Sequence, residues 1–157
     1  MLAALVACSA EPAHYDARDA CAPLAIAPVA ATALESDGIA DGIALWRDRG
    51  ASAFDPAAGD AAPAPADAAP AIAIRFDDAA AAFHGVYDPA SATIAINRSI
   101  TDRTAIAIVV AHELGHVFGL VHIAPATRIS LMNPGNLVTP PTDGDERALE
   151  ALWGTCQ

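Results

Sequence analysis

The stretch TDRTAIAIVVAHELGHVFGLVH, residues 101–122, decides the fold of this chain of 157 residues. It predicts a helix that begins near Thr101 or Asp102 and runs to Gly119, because a polar capping residue precedes a long apolar run. The run is apolar on nearly all sides, so we expect the helix to be buried. Two histidines and a glutamate lie inside it, and burying such groups without partners costs free energy. These polar residues therefore indicate a site.

The spacing of the histidines indicates a metal site. His112 and His116 are separated by one helical turn, so both imidazoles face the same side and can share one ion. Glu113 stands beside the first ligand, where its carboxylate can hold a water bound to the metal. Gly119 can end the helix in a left-handed conformation and return His122 toward the same ion. Three neutral histidines and one water are the open coordination of a catalytic zinc.

The eleven residues HELGHVFGLVH, residues 112–122, match the pattern H-E-x-x-H-x-x-G-x-x-H. This motif resembles that of the metzincin family of zinc endopeptidases, and most of all its matrixin-like members. Met132, in the segment SLMNP (residues 130–134), is similar to the methionine of the family's Met-turn beneath the metal. The order of the predicted elements extends the resemblance over residues 23–155.

The resemblance implies an α+β, metzincin-like fold. Such a domain has a twisted mixed sheet of four to five strands with an antiparallel edge strand. A first helix packs on the sheet, a long active-site helix carries the metal ligands, and a C-terminal helix closes the chain.

The resemblance also implies a zinc-dependent metalloendopeptidase. One Zn²⁺ would be bound by His112, His116 and His122, and Glu113 would be the general base for a zinc-activated water. A protein or peptide substrate would bind in extended form along the edge strand, near residues 82–88. The segment after the Met-turn, about residues 133–142, would wall the pocket beyond the scissile bond. Calcium is not indicated, since no clear acidic calcium loop is present.

Other functions stay open at this point. The chain could be a non-catalytic zinc-binding surface module on a protease-like fold, another kind of zinc hydrolase, or a scaffold without metal. The intact Glu113 favours the peptidase, because a degenerate member would be expected to lose its base or a ligand.

The local patterns predict the remaining elements. A polar Ala-Pro-Asp segment at 56–70 is interpreted as a surface loop, and His14 and His84 as surface histidines. The predicted elements are a strand within 23–29, a helix from about Ser36 that is capped by Asp37 and stopped by Gly50, a strand starting at Ala53-Phe54, a strand over 71–76, a hairpin of 82–88 and 92–97, and a helix over 143–153.

Composition limits the partners. Nineteen acidic residues against eight basic ones give a formal net charge of −11. Such a charge repels phosphate backbones, so we expect no nucleic-acid partner. The apolar runs are also too short to span a bilayer. We expect a monomer.

Three cysteines bear on the location of the protein. Leu5-Val6-Ala7-Cys8 resembles a bacterial lipobox, which makes 1–8 a truncated lipoprotein signal with Cys8 as the lipidated residue. The alternative is an ordinary apolar N-terminus. Residues 9–20 would then be a tether and 21–157 the catalytic domain.

Cys21 and Cys156 lie near the two ends of that domain and are expected either to form a disulfide or to be unrelated thiols. Lipidation and a disulfide both favour an exported protein, either anchored to the membrane of the bacterial cell envelope through Cys8 or secreted.

Overall fold

The computed structural model describes residues 17–54 and 71–156. Within these ranges the chain forms four strands and three helices. In chain order they are β1 (Ile26–Val29), α1 (Ala33–Arg47), β2 (Ile72–Asp77), β3 (Gly85–Asp88), β4 (Thr93–Asn97), α2 (Arg103–Val117) and α3 (Asp143–Trp153).

The strands form one open mixed sheet in the order β1-β2-β4-β3. Strands β1, β2 and β4 are parallel, whereas β3 lies at the edge and runs antiparallel to β4. In β2, the side chains of Ile72, Ile74 and Phe76 are buried and alternate with more exposed ones, as expected for a strand with one face on the core. This arrangement confirms the predicted α+β class, with four strands and an antiparallel edge strand.

Helices α1 and α2 pack very closely, and two glycines permit this. A Cβ on Gly42 would lie 2.7 Å from Cγ1 of Val110, and one on Gly38 would collide with Ile106. Further along α1, Trp46 is fully buried and its indole nitrogen donates a hydrogen bond of 2.7 Å to the carbonyl of Ala111. The first helix thus supports the segment of α2 that carries the polar residues.

Helix α1 begins earlier than the sequence pattern predicts. Its N-cap is Thr32, not Asp37. Thr32 and Glu35 form a capping box, in which the Glu35 carboxylate accepts from the Thr32 backbone N–H at 2.6 Å. This reciprocal pair satisfies backbone donors at the true helix start, while Asp37 lies inside the helix and pairs with Arg103.

The prediction that a strand starts at Ala53-Phe54 is wrong, because these two residues form a turn. The backbone groups of Ala53 bond to residues before β1: its N–H donates to the carbonyl of Ala20, and its carbonyl accepts from the N–H of Leu24. Phe54 packs against the ring of Phe118 instead of entering the sheet. The predicted loop at 56–70 lies outside the described residues.

The two ends of the domain are joined. Cys21 and Cys156 form the predicted disulfide, with their Cα atoms 5.0 Å apart. Residues 17–20, expected in the tether, also pack on the domain: Arg18 donates its backbone N–H to the carbonyl of Val117, and Ala20 is fully buried. The folded part therefore begins ahead of the predicted boundary at residue 21. Cys8 and the predicted signal lie outside the described residues.

The remaining secondary-structure predictions agree with the structure within a few residues. The predicted C-terminal helix matches α3, and the predicted hairpin matches β3 and β4. Among the described helices, none is both long and apolar enough for a membrane crossing.

Removing the disulfide should destabilise the fold without unfolding the site. We expect the Cys21→Ser/Cys156→Ser variant to lose about 2–5 kcal/mol of unfolding free energy, because a long loop is no longer closed in the unfolded chain. Urea denaturation under oxidising conditions measures this. The Cys8→Ser variant is the matched control and should keep the parental stability. A double variant as stable as the parent would contradict the expected role of the bond.

Candidate metal centre

Three histidines converge beside the sheet edge. His112 and His116 lie on α2, and His122 lies in the loop that follows it. The Nε2 atom of His122 is 3.1 Å from Nε2 of His112 and 3.2 Å from Nε2 of His116. All three candidate ligand atoms lie within 4.8 Å of one another. The structure thus brings together the three ligands that the sequence predicts.

A glycine at the end of α2 makes this convergence possible. Gly119 has φ +90°, a left-handed conformation that favours glycine. The N–H groups of Gly119 and Leu120 bond to the carbonyls of His116 and Gly115, at 2.9 Å each. The helix therefore closes tightly, and the chain reverses to bring His122 over the helix face.

Backbone carbonyls orient two of the rings. His112 Nδ1 lies 2.8 Å from the carbonyl oxygen of Leu131, and His116 Nδ1 lies 2.8 Å from that of Leu120. A carbonyl oxygen only accepts, so each Nδ1 carries the hydrogen and each Nε2 presents a lone pair. Such partners are typical of histidines that bind metals.

The donor set fits a metal ion. In a tetrahedral site with zinc–nitrogen distances of about 2.0–2.1 Å, neighbouring ligand nitrogens lie about 3.3 Å apart, close to the two distances that separate His122 from His112 and from His116. Burial lowers the pKa of all three histidines, that of His116 to about 4. The three imidazoles are therefore neutral near pH 7, which is the form that can bind a metal ion. Imidazole nitrogens suit zinc and several other transition metals.

Glu113 is buried next to the first of these histidines. Burial raises the pKa of its carboxyl to about 7, and a hydrogen bond from the backbone N–H of Tyr87 partly offsets the effect. The carboxylate is not one of the converging ligands. It is a separate acid–base group on the wall of the same cleft.

The histidines and Glu113 line an open cleft of about 370 Å³. Its other walls are the β3 residues with the segment just before them, and the loop residues 134–136. His84 lies in that preceding segment, outside β3, and is half-buried on the cleft wall. It is thus less exposed than the surface histidine predicted from sequence.

Met132 is fully buried against α2. A Cβ on Gly115 would lie 2.6 Å from the sulfur of Met132, so this glycine leaves room for the methionine. The carbonyl of Met132 accepts from Ile123, the neighbour of His122. The segment predicted as the Met-turn therefore supports both the helix and the loop of the site.

Asp145 is a residue whose importance the sequence analysis missed. Its buried carboxylate accepts hydrogen bonds from the hydroxyl of Ser130, the backbone N–H of Leu131, and both the N–H and hydroxyl of Thr142. Arg128 also pairs with it at 3.0 Å. The Thr142-x-x-Asp145 spacing of a capping box was a usable signal, but only for the helix start. Nothing local indicated the bonds to residues 128–131.

No family model matches the chain, and no curated protein matches it either. The assignment of the site therefore rests on the geometry of its side chains.

Loss of one ligand should remove metal binding. We expect the chelator-treated parent to bind one equivalent of Zn²⁺, and the His116→Ala variant to bind it more than about 100-fold more weakly, since even outer partners of ligands contribute 10–100-fold. Isothermal titration calorimetry measures both constants. His84→Ala removes a histidine from the same cleft and should bind zinc like the parent. Equal affinities for parent and His116→Ala would contradict the ligand assignment.

The carboxylate of Asp145 should stabilise the fold in a pH-dependent way. Burial alone would raise its pKa, but the hydrogen bonds from Ser130, Thr142 and Leu131 outweigh burial and hold the pKa below the ordinary 3.8. Its contribution is therefore complete above that value and is lost as the pH falls through the lowered pKa. We expect Asp145→Asn to cost about 2–4 kcal/mol at pH 7.

Urea denaturation of parent and variant at pH 7 and at decreasing pH measures this difference, which should shrink in acid. Asp143→Asn is the matched control, because Asp143 begins the same helix but is exposed, and it should leave the stability close to that of the parent. A difference for Asp145→Asn that grows in acid would refute the interpretation.

Proposed function

We propose that the protein is a zinc-dependent metalloendopeptidase, with His112, His116 and His122 as zinc ligands and Glu113 as general base. One observation carries the proposal: three imidazole lone pairs converge in an open cleft beside a buried carboxylate. A structural zinc site is closed by four protein ligands, whereas a catalytic one keeps a position open. Here the cluster offers three ligands, and the cleft gives access to them.

The chemistry divides between the metal and the chain. A zinc ion held by the three imidazoles would lower the pKa of a water toward neutrality and would polarise a carbonyl. Glu113 accepts the proton as the water attacks the peptide carbonyl, and then delivers it to the leaving amine. A carboxyl whose burial raises its pKa to about 7 is suited to both transfers near neutral pH.

Among the described residues, no strand pairs with β3 on the side away from β4, and this supports an extended substrate. The N–H of Asn97 donates to the carbonyl of His84, which makes these residues a hydrogen-bonded pair of the antiparallel ladder. Pairs alternate along such a ladder, so Gly85 directs its backbone N–H and carbonyl away from β4. A peptide strand can add to an edge of this kind.

The loop after Met132 forms the opposite wall. Asn136 stabilises it: the amide nitrogen donates to the carbonyls of Leu131 and Thr139, and the amide oxygen accepts from the N–H groups of Val138 and Thr139. Pro134 and Gly135 line the cleft next to it. This supports the proposal that residues 133–142 bound the pocket beyond the scissile bond.

The proposal includes an exported, monomeric protein. The Cys21–Cys156 disulfide supports an oxidising compartment, since such bonds are rare in the cytosol. Lipid anchoring through Cys8 stays a proposal, because that residue lies outside the described ones.

The decisive experiment is digestion of a proteome-derived peptide library by the zinc-loaded protein, with and without a chelator. We expect internal peptide-bond cleavage that the chelator abolishes. Glu113→Ala should still bind zinc but lose about 10²–10⁴-fold in kcat/KM, because the proton acceptor is absent. Glu150→Ala, an exposed glutamate, should retain parental activity.

Full activity of Glu113→Ala would refute the mechanism. A parent that binds zinc but cleaves no peptide would refute the peptidase and leave the zinc-binding surface module as the function.

A further inference from the structure

Gly85, the first residue of β3, lies directly against α2. A Cβ at this position would stand 2.8 Å from Cγ1 of Val109, 3.0 Å from Oε1 of Glu113 and 3.2 Å from Cγ of Glu113. Its φ is not among the positive values of the described glycines, so the backbone conformation does not require glycine here. The requirement is space, and that space is occupied by the side chains of Val109 and Glu113.

A second contact comes from the same strand. The backbone N–H of Tyr87 donates to the Glu113 carboxylate. In the antiparallel register, this N–H points away from β4 and therefore toward the open edge. Strand β3 thus accommodates the Glu113 carboxylate in two ways. Tyr87 supplies a backbone donor, and Gly85, two residues earlier, has no side chain that would occupy the same space.

We infer that Gly85 is a positioning residue for Glu113: the absent Cβ lets the carboxylate lie against β3, where the N–H of Tyr87 holds it beside the three histidines. The inference rests on the proposed function and deepens it. A glutamate side chain has several rotatable bonds, and a general base works only within hydrogen-bond reach of its proton. The edge strand would therefore have two functions, binding the substrate and fixing the base.

The test is the Gly85→Ala variant of the full chain loaded with zinc. The added methyl group displaces the carboxylate, and a misplacement of about 1 Å costs up to about 10²-fold in rate. We expect kcat against a peptide that the parent cleaves to fall about 10²-fold, with KM and zinc affinity unchanged. A purely structural defect would change stability, zinc affinity or KM as well.

Val109 provides the control, because its methyl group is the nearest atom to the added Cβ. The Gly85→Ala/Val109→Ala variant removes that clash and leaves only the one with Glu113, so it should fold even if the single variant does not. Its kcat is compared with that of Val109→Ala alone. We expect the same loss of about 10²-fold. Equal kcat values would show that the defect came from packing on α2, and would overturn the inference.

Crystal structures of the zinc-loaded parent and of the double variant give a readout that does not depend on turnover. We expect the Glu113 carboxylate to leave the N–H of Tyr87 in the variant. A carboxylate in its parental place would overturn the inference, whether or not the protein cleaves peptides. A parent without peptidase activity but with a displaced carboxylate in the variant would refute the proposed function and keep the positioning contact.

Discussion

The geometry of the site depends on one buried carboxylate. Asp145, in the first turn of α3, holds the hydroxyl of Ser130 and the N–H of Leu131. The carbonyl of Leu131 in turn accepts from the His112 ring, and the next residue, Met132, packs under Gly115. A fully buried charge must be compensated by hydrogen bonds. The bonds that compensate Asp145 therefore also place the turn that orients a metal ligand.

Close backbone approach is the second constraint on this alanine-rich chain. Gly42 lets α1 lie on α2, Gly115 admits Met132, and Gly85 admits Glu113. The few large side chains are used where these elements meet: Trp46 contacts Phe118 edge-on, and Trp153 donates to the carbonyl of Phe118. With small residues elsewhere, such contacts tie both flanking helices to the end of α2.

Much of the site was predictable, because its signals are local. The His112–His116 pair follows from the period of the helix, and the return of His122 follows from Gly119. The position of Glu113 next to a ligand is likewise a matter of sequence. Its contact with β3 was not predictable, since Gly85 is far from it in the chain and carries no side chain to indicate a role.

The sequence by itself determined the elements whose signals lie within a few residues. These include α2 with a polar cap at Thr101 or Asp102, of which the structure uses Asp102, the hairpin of β3 and β4, and the bounds of α3. Tertiary structure decided what depends on distant partners. Ala53 bonds to Ala20 instead of joining a strand. Asp145 accepts a hydrogen bond from Leu131, and β3 packs against Glu113. The physical reason is that helical periodicity and helix caps depend on neighbouring residues. The role of a backbone carbonyl or of a glycine without a Cβ depends instead on the group that packs against it, which can be distant in sequence.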